Sequence, residues 1–260
     1  MSKNRTQSWR PGSRRFEVQR LHPQQGERKL KTSILVAVLT GHERHFWIHP
    51  DLMQALVRMP LWQMETGSKL AVTTIHGKTP VVAARNAAVE EMLKMGVEWL
   101  LQIDNDTVPP LNILGILENI GDRKIVGFPT PMEYAPGKTA FNVAHSVDQA
   151  GRLCEIYKSL PDGWSNAEFV GSGCLLVHRD VFLSLSDPWF QHTDAAVKQL
   201  RQYGGEDFNF CAKARAKGFQ VWTNSTFICR HYHTVELLQM MSAVPQALEK
   251  YHQELSCTVS

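Results

Sequence analysis

The run Val97-Glu98-Trp99-Leu100-Leu101-Gln102-Ile103-Asp104-Asn105-Asp106 limits what this chain can fold into more than any other stretch. Gly96 bounds it on one side and Pro109-Pro110 on the other, so a short apolar segment is closed by breakers at both ends. That is the pattern of a buried central strand in an α/β sheet. Two carboxylates stand at its carboxyl end. Open α/β sheets place ligands there, and two acids separated by a single residue carry repulsion and desolvation costs that filler positions do not tolerate. A hard divalent cation relieves both: Mg²⁺ or Mn²⁺ takes oxygen ligands, usually one or two carboxylates together with substrate phosphates. Asp104 and Asp106 are therefore expected to seat a metal bound to phosphate.

Around this strand the chain alternates. Thr32 to Leu39 is a β-branched apolar run ending at Thr40-Gly41, the expected first strand, with a turn able to approach a nucleotide. A helix is expected from Asp51 to Arg58, stopping before Pro60, then a strand from Lys69 to Ile75. Thr79 and Pro80 suit an N-cap and first helical position, and Gly96 a C-terminal stop, so the spacing predicts a helix between them. In its early turns Arg85 and Asn86 sit where a guanidinium could reach a diphosphate, the plain alternative being an arginine that snorkels to solvent. Helical spacing over Leu111 to Ile120 and a strand over Lys124 to Phe128 complete a β-α-β-α-β-α-β order.

From Thr130 to Gly163 the texture changes to short strands and turns, with a hairpin expected between Phe141–Val147 and 152–158, and Ser159 to Ala167 a candidate lid. Glu168 to His178 reads as one strand carrying Gly171-Ser172-Gly173, where missing side chains allow close approach. Trp189 and Phe190 read as core anchors. Gly205-Glu206-Asp207 opens a helix over Phe208 to Lys217, stopped by Gly218, and acids in a first turn are ordinary capping residues unless something else is asked of them. Strands at Phe219–Thr223 and Thr226–Arg230 lead to His231-Tyr232-His233, and a final helix from Thr234 is expected to pack on the outside of the domain.

The 260 residues and 43% hydrophobic content are enough for one substantial core. No apolar run approaches the roughly 18 residues that span a bilayer and no signal-like segment opens the chain, while the cysteines form no C-x-x-C pair; a cytoplasmic protein without a transmembrane segment is expected. Charge divides the chain. Residues 1–31 hold nine Lys/Arg against two Glu, a balance of +7, and the remainder holds 19 basic and 23 acidic residues, a balance of −4. Such an arm either touches a polyanion or is a solvated tail. The expected organisation is a basic flexible arm over 1–31, a catalytic domain over 32–233 and a helical extension over 234–260.

Taken in order, Ala84-Arg85-Asn86-Ala87, Ile103-Asp104-Asn105-Asp106, Gly171-Ser172-Gly173-Cys174-Leu175-Leu176, Pro188-Trp189-Phe190 and Gly205-Glu206-Asp207-Phe208 resemble the motifs of GT-A glycosyltransferases, particularly family-2-like bacterial and phage enzymes. The resemblance covers about Ser33 to His233. It implies a Rossmann-like, mostly parallel central sheet flanked by helices, with a small mixed β subdomain for the acceptor. It further implies a metal-dependent transfer of sugar from a nucleoside-diphosphate sugar to an acceptor hydroxyl, with inversion. On that resemblance Asp106 is the direct Mn²⁺ or Mg²⁺ ligand, Asp104 a ribose or water-mediated metal contact, and His231 the late imidazole ligand with His233 its alternative. Asp207 is the implied base with Glu206 next to it, while Thr40, Gly41, Arg85, Asn86, Gly171 and Gly173 would bind the donor. The basic arm suggests an acceptor such as DNA with hydroxylated bases or another polyanion.

Two other classes fit parts of the pattern. Asp104-x-Asp106-x-Val108 after an apolar strand satisfies the nucleophile motif of haloacid-dehalogenase-type phosphatases, although that motif usually ends a first strand and here at least two strands precede it. A non-catalytic module that keeps a nucleotide-sugar fold while its arm binds nucleic acid is the other; the full set of carboxylates and histidine argues against lost chemistry.

Overall fold

The computed structural model describes residues 31–41, 47–135, 138–147, 153–156, 159–192 and 205–232. Residues 1–30, His233 and the expected extension over 234–260 lie outside them.

Strand β1 (Ser33–Leu39) is the apolar first strand expected, and Ile34 through Val38 are wholly buried. It runs parallel to β2 (Lys69–Ile75) on one side and to β3 (Trp99–Asp104), the strand of the two aspartates, on the other. A two-residue β4 (Thr107–Val108) follows, then β5 (Ile125–Gly127). The pattern-poor middle of the chain gives β6 (Pro131–Ala135), β7 (Lys138–Phe141), β8 (Val143–Val147) and β9 (Leu153–Ile156). After it come β10 (Trp164–Ala167), β11 (Phe169–Val170), β12 (Cys174–His178), β13 (Val221–Asn224) and β14 (Arg230–His231). The helices are α1 (Pro50–Thr66), α2 (Val81–Met95), α3 (Arg179–Ser184) and α4 (Glu206–Ala216).

Seven strands form the central sheet in the order β10-β13-β5-β12-β3-β1-β2. Five run one way, and β12 and β10 run against them. Because side chains alternate across a strand, β1 divides its apolar residues between two cores. Leu35, Ala37 and Leu39 pack with Ala88 and Met92 of α2, Phe182 of α3 and Phe210 of α4. Ile34, Val36 and Val38 pack with Leu52, Met59 and Trp62 of α1 and with Ile113 and Leu117. This layered, mostly parallel sheet is the GT-A architecture expected. The reversed β12 positions the site: it begins where β3 ends, so the Gly171–Gly173 turn before it lies against Asp104, whose N–H donates to the Gly173 carbonyl at 2.8 Å.

Several local expectations are corrected. Helix α1 continues through Pro60 to Thr66, because Pro60 lies on the exposed side while Met59 and Trp62 on either side of it are buried and anchor the last turns. Thr79 does not cap α2; Pro80 holds the cap position with an extended backbone and no side-chain bond, although Gly96 does stop the helix in the left-handed conformation. The stretch expected to be helical over Leu111–Ile120 is a 3₁₀ segment, Ile113–Asn119. The candidate lid is not one: Trp164–Ala167 is an edge strand of the central sheet, paired with β13, and Trp164 stacks on the Arg123 guanidinium, 4.4 Å from the ring centre. Glu168–His178 is not one strand, since β11 pairs with β8 in a three-stranded sheet and β12 belongs to the central one. The hairpin of β8 with β9 is present, and the strand expected over Thr226–Arg230 is Arg230–His231, paired with β4.

Proline inside a helix removes one backbone bond and crowds the preceding turn. Pro60→Ala is expected to raise stability by about 1–2 kcal/mol after allowing for the greater freedom of the unfolded chain, read as a higher urea midpoint; a lower midpoint would show that the proline suits a local bend.

Candidate active site

The carboxyl edge of the sheet gathers residues from seven separate places in the chain around one cavity of about 200 Å³. Its walls include Arg85 of α2, Asp104 at the end of β3, Thr107 of β4, Asn142, the Gly171–Gly173 turn, Glu206 and Asp207 at the start of α4, and His231 of β14.

Arg85 is the hub. It is buried, 3% exposed, and each of its donor nitrogens has a partner: Nε meets Glu206 Oε1 at 2.8 Å, one terminal nitrogen meets Asp104 Oδ2 at 3.0 Å, and the other donates to the Ser172 carbonyl at 3.0 Å. Burial alone would lower the guanidinium's pKa, but the two carboxylates more than reverse this and raise it. All three guanidinium nitrogens are taken up by protein acceptors, so the fork holds three parts of the protein together, and Arg85 also lines the cavity. Glu206 is its counterpart, kept below the usual carboxylate range by Arg85 against its own burial and also accepting from Ser172 Oγ at 3.3 Å.

Asp207, the next residue, has the opposite character. Burial, reinforced by the neighbouring Glu206 charge, pushes its carboxyl up to about 6. Oδ1 accepts from the Phe208 N–H at 2.8 Å, and the group faces the cavity. A side-chain atom built on Gly205 would lie 2.3 Å from that oxygen, so glycine is what lets the carboxylate sit there.

Of the other two acids, Asp104 lines the cavity and Asp106 follows it two residues on. The backbone around Asp104-Asn105-Asp106 is fixed from two sides: the Asn105 carbonyl accepts from His49 N–H at 3.1 Å and the Asp106 carbonyl from Tyr232 N–H at 3.0 Å. Pairing of β14 with β4 sets His231 opposite Thr107, and His231 Nε2 lies 3.6 Å from Asp106 Oδ2. His231 Nδ1 is 3.0 Å from the Pro131 carbonyl. A carbonyl only accepts, so Nδ1 carries a proton, and Nε2 faces the Asp106 side as a donor when the ring is doubly protonated and as a lone pair open to a cation when it is neutral. The hydrogen bond to Asp106 raises the imidazole's pKa.

Among the described residues no group of three or more His, Cys, Asp or Glu is placed to hold a metal ion. The donor types nearby are ones a hard divalent ion with few protein ligands takes. Asp106 and His231 already meet, and Asp104 Oδ1 is a buried oxygen without a hydrogen-bond partner. Burial raises Asp104 despite Arg85, as expected of a carboxylate with one oxygen unmatched. Few protein ligands plus phosphate oxygens is the usual Mg²⁺ arrangement.

The other sequence candidates fall elsewhere. Thr40 is buried with its hydroxyl on the Ile75 carbonyl at 3.3 Å, and neither it nor Gly41 lines the cavity. The Asn86 amide exchanges two hydrogen bonds with the Phe190 backbone, at 2.9 and 3.0 Å, which makes it a clamp between α2 and the segment after α3, and it does not line this cavity. Gly171 and Gly173 do line the cavity. Sequence reasoning missed Asn142, whose Oδ1 accepts from Thr130 N–H at 2.8 Å while its amide nitrogen overlies Gly171; it lies in the stretch without a readable motif. It also left Ser172 without a role, although the glycines on either side marked the turn.

No family model matches the chain, and no curated protein matches it in sequence. Solved structures do. The crystal structure of A197 from STIV is similar at 16% identity over 78% of this chain and 87% of that one, with a TM-score of 0.52. GalNAc-T7 solved with UDP, GalNAc and Mn²⁺ is 11% identical over 80% of this chain and 45% of that one, TM-score 0.47. CMP:2-keto-3-deoxy-manno-octonic acid synthetase complexed with CTP is 12% identical over 85% of this chain and 100% of that one, TM-score 0.42. The likeness to A197 extends to the fold.

Removing one partner of a buried ion network leaves the others uncompensated. Arg85→Met is expected to lower stability by about 3–5 kcal/mol in urea unfolding. Arg85→Lys should recover little of it, since an ammonium cannot serve three acceptors in a planar fork; full recovery by lysine would show that charge alone matters here.

Proposed function

We propose that this protein is a metal-dependent GT-A glycosyltransferase that moves a sugar from a nucleoside-diphosphate donor to an acceptor hydroxyl with inversion. What supports the reading is that Asp104, Asp207 and His231 line a single cavity, that Asp106 lies 3.6 Å from His231, and that Arg85 binds both Asp104 and Glu206 at that cavity. Asp106 and His231 would hold the cation, with Asp104 Oδ1 beside them. When bound, it supplies charge neutralisation to the departing diphosphate.

The chain's own residues do the rest. Asp207 as carboxylate accepts the acceptor's hydroxyl proton; the freed oxygen bonds to the anomeric carbon as the bond from that carbon to the diphosphate oxygen breaks, leaving a nucleoside diphosphate. Glu206 is a poor base because Arg85 holds it ionised and occupied. A carboxyl raised to about 6 is better matched to proton removal near neutrality. The phosphatase reading suits the geometry less: a nucleophilic Asp104 would attack with one oxygen paired to Arg85 and the other buried.

A thermal-shift screen of nucleoside diphosphates and their sugars, with and without Mn²⁺, tests the donor half. A metal-dependent shift is expected, lost in Asp106→Ala and kept in Asp207→Asn. Turnover in Asp207→Asn, followed as nucleoside diphosphate release, should fall roughly 10²–10⁴-fold; unchanged turnover would move the base elsewhere, and pyrophosphate release from a nucleoside triphosphate plus a sugar phosphate would replace the reaction class.

The pH dependence has a definite sign. The base works only when ionised, and its folded pKa is raised to about 6. Turnover at saturating donor should therefore be full above about pH 7 and drop tenfold per unit well below 6. A profile flat down to pH 5 would exclude Asp207.

A further inference from the structure

Asn142 lines the cavity without serving the acids or their arginine. It is the single residue between β7 and β8, where the chain leaves one small sheet for another, and it is tied down on both sides. Its N–H donates to the Thr130 carbonyl at 3.0 Å, its carbonyl accepts from the Gly171 N–H at 2.7 Å, and its Oδ1 accepts from the Thr130 N–H at 2.8 Å. A backbone N–H only donates, so Thr130 holds the oxygen end of the amide and the Nδ2 end is turned away from it. That nitrogen passes so close to Gly171 that a side-chain atom there would collide with it. Among the described residues no acceptor meets it.

The other uncharged donors of the wall are engaged: Ser172 Oγ with Glu206, Thr107 Oγ1 with Asp106 and Thr130 Oγ1 with the Phe128 carbonyl. The amide is also near the acids. A side-chain atom on Gly173 would lie 3.7 Å from Asp104 Oδ2, and two residues of chain span at most about 7 Å. The turn that passes the Asn142 amide at one end therefore passes Asp104 at the other.

We infer that Asn142 selects the transferred sugar, its Nδ2 donating to one hydroxyl of the sugar ring. This rests on the glycosyltransferase reading, in which the diphosphate next to that ring is held at Asp106 and His231. A neutral amide adds no charge to draw a diphosphate; it offers direction, and a hydroxyl oxygen accepts from it without an ion pair. Fixed by three hydrogen bonds, it loses little freedom when the contact forms. The cavity, about 200 Å³, is smaller than sites that enclose a whole ligand of drug size, about 300–1,000 Å³, so it suits one part of a sugar nucleotide. The substrate class is a donor whose sugar carries a free hydroxyl at the position facing Asn142.

Calorimetric titration with Mn²⁺ present tests this. UDP- and GDP-hexoses are titrated beside UDP and GDP, and the sugar's share is the ratio of the two dissociation constants. Asn142→Asp keeps an oxygen for Thr130 and removes both N–H donors, and the ratio cancels what the added charge does to diphosphate binding. The sugar's share is expected to fall about tenfold, the scale of one hydrogen bond. Gly171→Ala, which displaces the amide without altering it, should do the same, and it replaces the first variant should that one fail to fold. Among monodeoxy analogues of the tightest-bound hexose, one should bind about tenfold more weakly to the unaltered protein and lose nothing in Asn142→Asp, a coupling that an asparagine of purely structural role does not give. An unchanged share, deoxy losses equal in both proteins at every position, or a loss confined to the acceptor's KM would each overturn the proposal, the last giving the amide to the acceptor. If neither the nucleoside diphosphates nor their hexoses bind the unaltered protein, the glycosyltransferase reading itself fails and takes this assignment with it.

Discussion

The site depends on one buried guanidinium. Without Arg85, the end of β3, the turn before β12 and the start of α4 would bring Asp104, Glu206 and a backbone carbonyl together in a region with little water, where like charges repel strongly and unmatched oxygens are costly. Arginine suits the position because its planar fork serves three acceptors at once and keeps its charge when buried. It gains that position from α2, a helix set by the left-handed Gly96 at one end and by Ala84, Ala88, Val89 and Met92 on its buried face. The apolar packing of one helix thus fixes a cation, and the cation fixes two acids.

The same ion network separates the roles of two adjacent acids. Glu206 and Asp207 differ little in chemistry, yet Arg85 bonds to the first and only acts at a distance on the second. One is held ionised, while the other is raised by burial and by its neighbour's charge. Two carboxyls pushed in opposite directions is a recurring way for one site to hold both a fixed charge and a proton acceptor. The turn of Asp104 and Asp106 is steadied by backbone bonds to His49 and Tyr232 and by the Asn105 amide on the Trp47 carbonyl at 2.8 Å. Fixed dipoles and charges of this kind need little rearrangement when charge develops on a leaving group.

The sheet was readable from the sequence because its strands are short apolar runs between breakers, and the acids at the end of β3 marked the edge at which the cavity lies. What escaped was set by tertiary contact. Pro60 reads as a helix end, but buried Met59 and Trp62 carry α1 past it. Trp164 reads as part of a loop, but pairing with β13 and the Arg123 guanidinium make it part of the sheet. The reversal of direction at β12 has no mark in its composition, which is as apolar as a parallel strand's. Arg85 and Asn86 were visible as polar residues in a small-residue helix, yet Glu206 and Phe190, to which they bond, lie 121 and 104 residues away, beyond anything local spacing can report. Asn142 had no signal at all, since its importance comes from bonds to Thr130 and from its place over Gly171.

The glycines of the site show how closeness is used. In the sequence, Gly171 and Gly173 suggested room for a ligand. In the structure much of that room is filled by the protein: a side-chain atom on Gly171 would lie 2.4 Å from the Asn142 amide nitrogen, and one on Gly205 would meet Asp207 at 2.3 Å. Both glycines line or adjoin the cavity because a polar group must pass close to the main chain to face it. A larger residue there would act first by moving Asn142 or Asp207, and only second by narrowing the cavity. Catalytic geometry falls off within about an ångström of displacement, so the backbone without a side chain is as much a part of the proposed chemistry as the carboxylate that passes over it.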